Sequence, residues 1–208
     1  MRILALLLAA GLAYAADLPT IFYSKSFPGS APAYVEITLD KHGRAEYREA
    51  PKEEDPLVCQ LSEADVKQIW TLAEKLNWFK TPLESGLPVA KMGEKTFRMD
   101  NSPDKGEVKF NYTLDENGRM ILDWFEKMTE SAQYRIILEK AVRFDKLGVN
   151  NAVLRLQAAM ERNRLVAPEQ FLPMLDRVVK NESYLHMARE RAAALAEMIR
   201  NGNKPKAE

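Results

Sequence analysis

Residues 26–49 read SFPGSAPAYVEITLDKHGRAEYRE, and the alternation inside them decides the fold. From Tyr34 to Leu39, Val35, Ile37 and Leu39 fall on one side and Tyr34, Glu36 and Thr38 on the other. A period of two is that of a strand with one buried face. Asp40-Lys41-His42-Gly43 supplies turn chemistry, with Gly43 suited to a left-handed backbone position. Arg44 to Arg48 resumes the alternation, setting Ala45 and Tyr47 against Arg44, Glu46 and Arg48. The stretch therefore predicts a β-hairpin. The Pro28-Gly29-Ser30 loop that opens it is neither G-x-S-x-G nor a phosphate loop, since no GK[ST] and no helix follow it.

Outward from the hairpin, Ile21-Phe22-Tyr23 reads as a short edge strand. Pro51 to Pro56 is a charged, proline-bounded loop. Ser62 has the chemistry of a helix N-cap, with Glu63 and Asp65 in the first turn where negative charge suits the dipole. Val66, Ile69, Trp70, Ala73 and Leu76 recur at helical spacing, which predicts a helix over 63–76 lying on the sheet. After a loop over 81–93, Phe97 and Met99, then Val108, Phe110 and Tyr112, alternate with Lys109 and Asn111 opposite, a second hairpin with its turn over 101–106. From Gly118 a broad apolar stripe runs through Met120, Ile121, Trp124, Phe125 and Met128 and on towards Leu147.

This order predicts an α+β fold: an antiparallel sheet of two hairpins with helices on one face, in ββαββα order, over residues 16–130. An all-helical extension over 131–202 and a polar tail over 203–208 follow. Inside the extension, Gly148 with Asn150-Asn151 restarts a helix. Pro173 places the next helix after Leu172, because a proline in a helix interior costs about 3 kcal/mol. Asn181 or Ser183 is expected to cap the last helix, which ends near Arg200 with Gly202 fit for a C-terminal cap.

The first residues, MRILALLLAAGLAYAA, hold one basic residue, an apolar core from Ile3 to Leu12 and an A-x-A pattern at Ala13-Tyr14-Ala15. They read as an export signal over 1–15 cut before Ala16, too short to span a bilayer. The expected address is periplasmic or secreted, with no stable membrane anchor after cleavage. Without Arg2 the chain holds 29 basic against 30 acidic residues, a balance that offers nucleic acid no global field. Cys59 is the only cysteine. It forms no internal disulfide and reads as a buried small hydrophobe.

Several patterns that could carry chemistry lack their context. Ser102-Pro103-Asp104-Lys105 matches S-x-x-K but falls in a hairpin turn rather than opening a helix. Asp100, Ser102 and Asp104 have calcium-loop spacing, yet Lys105 stands where a glycine belongs and Asn111 where a glutamate belongs. Glu182, His186 and Glu190 share one helical face with no second ligand cluster in view. No cofactor and no metal site is implied. The feature kept as a candidate site is the outward face of the sheet, with Tyr34, Glu36, Thr38, Arg44, Arg48, Arg98 and Lys109 as partner-binding residues, alongside Glu46 and Asn111. One side of an antiparallel sheet is commonly wet. The expected function is a non-enzymatic module binding an envelope protein or peptide. One alternative is a hydrolase with a site assembled from scattered residues between sheet and extension. The other is self-association through Ala188, Ala192, Leu195 and Ile199.

The run SFPGSAPAYVEITLDKHGRAEYRE, with the helix and KTFRMD…EVKFNY after it, resembles a domain of unknown function found in bacterial exported proteins. Pro32-Ala33-Tyr34 holds the place of that domain's P-x-Y, and His42-Gly43 that of its turn. Its relatives often carry Cys in the opening loop, where this chain has Ser26 and Ser30. The resemblance covers residues 20–130 and implies no reaction. RLVAPEQFLPML and SYLHMARERAAALAEMI then look like a family-specific extension.

Overall fold

The computed structural model describes residues 18–202. The expected export signal and the polar tail lie outside the described residues. The hairpin read from residues 26–49 is present as β2 (Tyr34–Asp40) and β3 (Arg44–Arg48), paired antiparallel with Leu39 opposite Ala45 and Ile37 opposite Tyr47. Gly43 adopts φ +86° at the turn. A Cβ there would lie 2.8 Å from the Leu61 carbonyl oxygen, so only glycine fits. The loop before it closes on itself. Phe27 N–H donates to the Ala33 carbonyl at 2.8 Å, and the Ser30 hydroxyl lies 2.7 Å from the Phe27 carbonyl and 2.6 Å from that of Pro32.

Two strands extend the hairpin and correct the expected ββαββα order. The first, β1 (Thr20–Ser26), pairs with β2 on one side and with β5 (Glu94–Asp100) on the other. Ile21-Phe22-Tyr23 is thus central rather than an edge, because both Ile21 and Tyr23 are fully buried beneath it. The second is β4 (Leu57–Gln60), which lies beside β3 and carries Cys59. With β6 (Glu107–Phe110) the sheet has six antiparallel strands in the order β4-β3-β2-β1-β5-β6.

Helix α1 (Glu63–Lys75) begins where expected: Ser62 Oγ accepts from the Asp65 N–H at 3.2 Å. Val66, Ile69, Leu72 and Ala73 are buried, while Trp70 is half-exposed. Asn77, Trp78 and Phe79 then take three consecutive positive φ values, a left-handed reversal that returns Phe79 to the core, fully buried and stacked on Phe97 with ring centres 5.2 Å apart.

Helix α2 (Glu116–Phe144) is the spine of the molecule. Asp115 caps it, accepting from Gly118 N–H at 2.7 Å. Its first part buries Ile121, Phe125, Met128 and Ala132 against α1 and the sheet. Its last part buries Leu138, Ala141 and Val142 against α3 (Val149–Glu161), α4 (Leu172–Lys180) and α5 (His186–Arg200). The two cores therefore meet inside one unbroken helix. A 3-10 turn at Pro168–Phe171 leads into α4, with Pro173 in that helix's first turn, where its missing N–H costs nothing.

The last helix starts later than the sequence suggests. Asn181 ends α4 and accepts from Ser183 N–H at 3.0 Å, while Leu185 stands at the N-cap of α5 without a side-chain cap. Ala188, Ala192, Leu195 and Ile199 are all buried in the bundle's own core. The stripe expected to drive self-association is internal packing.

Candidate functional site

The outward face of the sheet gathers the candidate residues in two patches. Tyr34, Glu36, Thr38, Arg44 and Arg48 share the β2–β3 side. Arg98 and Lys109 share the β5–β6 side. Phe22 of β1 stands between them, opposite Thr38 on one flank and Arg98 on the other. The Arg98 guanidinium lies 4.2 Å from the centre of the Phe22 ring.

Each basic residue in this set meets a carboxylate of the same face. Arg44 and Arg48 both bond Glu46, at 2.9 and 2.8 Å, and Arg48 lies 3.9 Å from Glu36. Arg98 binds Asp100 through two nitrogens, at 2.7 and 2.8 Å. Lys109 is 3.9 Å from Glu107. The Tyr34 hydroxyl donates to Glu36 at 2.6 Å, and burial together with that bond raises its pKa to about 12. Burial works against ionisation of Glu46, but the hydrogen bonds from Arg44 and Arg48 outweigh it and hold its carboxyl below the usual range. The face neutralises itself, so a charged partner would have to compete with pairs already made.

A deeper feature lies on the other side of the molecule. A cleft of about 670 Å³ opens where the end of β4, the first turns of α1 and α2, the connection from α3 to the 3-10 turn, and the end of α5 converge. Met120, Trp124, Leu165 and Pro168 supply apolar wall. Asp65, Asp123 and Glu169 bring carboxylates to it and Lys127 one ammonium. Asp123 is committed: it bonds Lys127 at 2.8 Å and Arg164 at 2.5 Å. Burial opposes its charge, yet those two bonds prevail and keep its carboxyl below the usual range. Asp65 and Glu169 make no side-chain ion pair among the described residues.

The segment that roofs the cleft is tied down and strained. Arg164 bridges Asp123 and Glu130 of α2. Val166 N–H donates to the buried Ser131 hydroxyl at 2.9 Å, and the Val166 side chain enters the core of the sheet half. Asn163 and Ala167, both on the cleft, hold φ values of +54° and +45°. An L-residue with a Cβ, such as Ala167, takes that conformation at a cost of about 1–2 kcal/mol, and strain of this kind clusters at functional sites.

The remaining sequence motifs are structural. Ser102 accepts from Asp104 N–H in the β5–β6 turn, and Asp104 lies 3.4 Å from Lys80. His186 meets Glu190 at 3.2 Å on an exposed surface, and Glu182 lies outside α5. No cluster of metal-ligating side chains occurs among the described residues. Sequence reading passed over Lys95. It points inward with Phe97 and Met99 and is buried, donating to the carbonyls of Gly93 at 3.2 Å and Asn111 at 2.7 Å. Burial, aided by the nearby Lys25 charge, lowers its pKa. Its parity in β5 is the one signal that could have found it.

Compared with known proteins, the chain matches no family model and no curated relative.

Proposed function

We propose that the protein is an exported binding module of the cell envelope, and that its partner is a protein or peptide segment carrying lysine or arginine, held in the cleft between the sheet half and the returning helical layer. The observation that carries this reading is the cleft itself. Its volume of about 670 Å³ falls in the range of ligand pockets, about 300–1,000 Å³. Its apolar wall stands beside the carboxylates of Asp65 and Glu169, which make no ion pair among the described residues. A lysine or arginine side chain suits such a surface, because its methylene stem lies on apolar groups while its head reaches a carboxylate. The envelope address rests on the apolar run and A-x-A pattern of residues 1–15.

The same geometry favours binding over acid–base catalysis. Asp123 is held ionised by Lys127 and Arg164 and has no proton to donate near neutral pH. The Ser62 hydroxyl at the cleft is engaged in capping α1.

Calorimetric titration with a lysine-rich extended peptide and its glutamate counterpart tests the proposal. The basic peptide should bind saturably and the acidic one should not. Asp65→Asn/Glu169→Gln should weaken the basic peptide about fivefold or more, since hydrogen bonds to charged groups contribute on the order of 1 kcal/mol or more. Absence of saturable binding would overturn it. So would binding that survives this variant and is lost in Arg44→Glu/Arg48→Glu, which would move the partner to the outward sheet face.

A further inference from the structure

The two most exposed large hydrophobic side chains among the described residues are near neighbours. Phe144 is 83% exposed and Leu147 is 74% exposed, and both belong to the turn from α2 into α3. The connection from α4 to α5 reaches the same end of the bundle. There the Tyr184 hydroxyl donates to the Val142 carbonyl at 2.9 Å, and both residues share the bundle core. That connection runs directly into Leu185 and Met187, which are 47% and 56% exposed. One end of the bundle thus presents four apolar side chains, two where α2 turns into α3 and two where α5 begins. The fold does not need them: Val142, Val149, Tyr184 and Ala188 complete the core just beneath. Contiguous exposed apolar surface marks a place of contact.

The charges around this tip identify the contact. Lys140, Lys146 and Arg155 are exposed and have no carboxylate partner among the described residues. Of the acids beside them, Glu139 pairs with Arg143 at 2.5 Å, and Asp145, which accepts from Gly148 N–H at 2.9 Å, leaves one carboxylate against the three cations. The second loop is close to neutral, with Lys180 and Arg189 against Glu182 and Glu190. Helix α5 begins at this end with no side-chain cap and no acid in the first turn, so its dipole adds positive potential, while the Asp145 carboxylate at the start of α3 offsets that helix's dipole. Beside Phe144, a hollow of about 540 Å³ between α2 and α3 is lined by Ile137, Lys140, Ala141 and Arg155, with the Asp145 carboxylate also on its wall.

We propose that this tip docks on an anionic lipid surface. Phe144 and Leu147 enter the boundary between headgroups and acyl chains, and Lys140, Lys146 and Arg155 meet lipid phosphates. Apolar side chains flanked by unpaired cations are the combination that holds a protein on a membrane without crossing it. No helix of the described residues is long and apolar enough to cross. A second copy of the chain is the poorer fit, because two tips face to face would oppose the same three cations.

Co-sedimentation of the chain from Ala16 onward with lipid vesicles tests this. Vesicles of phosphatidylcholine with about a third phosphatidylglycerol should retain the protein, vesicles of phosphatidylcholine alone should not, and added salt should release it. Phe144→Ser/Leu147→Ser should reduce retention about tenfold or more, and Lys140→Gln/Lys146→Gln several-fold. These side chains are exposed, so the variants should keep the wild-type thermal midpoint, measured in parallel. The proposal is overturned if anionic vesicles retain nothing, if neutral vesicles retain as much, or if the serine variant binds as well as wild type. It is also overturned if light scattering finds a wild-type dimer, a monomeric serine variant and no vesicle retention, which would assign the tip to a second copy. Peptide binding at the cleft is measured without vesicles, so the two proposals fail separately.

Discussion

Cys59 shows what a single position owes to its surroundings. It lies in β4, its side chain packs against the core of the sheet half, and burial pushes its thiol up to about 11, only partly opposed by the Arg135 guanidinium. The ordinary value is 9.0. At mildly alkaline pH the folded thiol then holds about a hundredfold less thiolate than a free cysteine. Alkylation by iodoacetamide should be slower by a similar factor in the native protein, and should reach the free-cysteine rate in denaturant. A native rate equal to that of a cysteine peptide would contradict this. The linkage follows: the unfolded thiol ionises first, so this group's contribution to stability declines as pH rises from its unfolded value to its folded one. An apolar run around a lone cysteine pointed to full burial, whereas on the edge strand β4 the side chain is only partly buried against the core. Lys95 was not readable in the same way, although it shares the inward parity of Phe97 and Met99. The carbonyls that satisfy it belong to Gly93 and Asn111, the latter across a strand pair, and nothing local announces them.

Among the elements, those with strong local signals were legible and those defined by their neighbours were not. The β2–β3 hairpin, the Ser62 cap and the proline-started α4 each follow from period, turn or capping chemistry within a few residues. β1 was misread as an edge because edge and centre differ only in what lies on the far side, here β5, 68 to 80 residues away along the chain. β4 was hidden by its four-residue length and by the adjoining helix. Parity sufficed to place Tyr34, Glu36, Arg48 and Arg98 on one face, but not to show that each charge there is already paired. The cleft was invisible, since its walls come from segments spread between Gln60 and Gly202. The element that closes it, residues 163–167, is held by Arg164. Arg164→Met should cost about 1–2 kcal/mol at neutral pH, kept low by partial exposure of the pair. The sign of its pH dependence follows from Asp123, whose folded pKa lies below its ordinary 3.8. The pair stabilises the fold above that value and loses its effect as pH falls through the folded one. The difference between wild type and variant, measured by urea unfolding, should therefore shrink at acid pH. A constant difference would mean that Arg164 acts through packing alone.

For the molecule as a whole, α2 poses the question of whether sheet half and helical extension are one cooperative unit or two. The sequence divides them near residue 130, and their hydrophobic cores do separate there, one reaching Ala132 and the other starting at Leu138. Yet no loop lies at the division, because α2 runs unbroken from Glu116 to Phe144. Unfolding either half would expose one apolar stretch of that helix. A second link crosses the division: Val166 leaves the helical layer to fill the sheet core, and its N–H is satisfied only by Ser131. Arg135 adds a third, donating from α2 to the Val58 carbonyl of β4 at 2.8 Å. With shared backbone, shared packing and buried hydrogen bonds across the junction, the expected behaviour is a single transition. The chain carries its own test. Trp70, Trp78 and Trp124 all pack on the sheet half, so tryptophan fluorescence follows that half. Far-UV ellipticity near 222 nm draws largely on the helices, and α3, α4 and α5 of the described residues belong to the extension. Urea curves from the two probes should coincide in midpoint and slope. Separate midpoints, with ellipticity lost first, would mean that the extension melts on its own. Coincidence in the wild type with separation in Ser131→Ala/Arg164→Met would locate the coupling in the segment that roofs the cleft, so that a ligand bound there should raise the stability of both halves together.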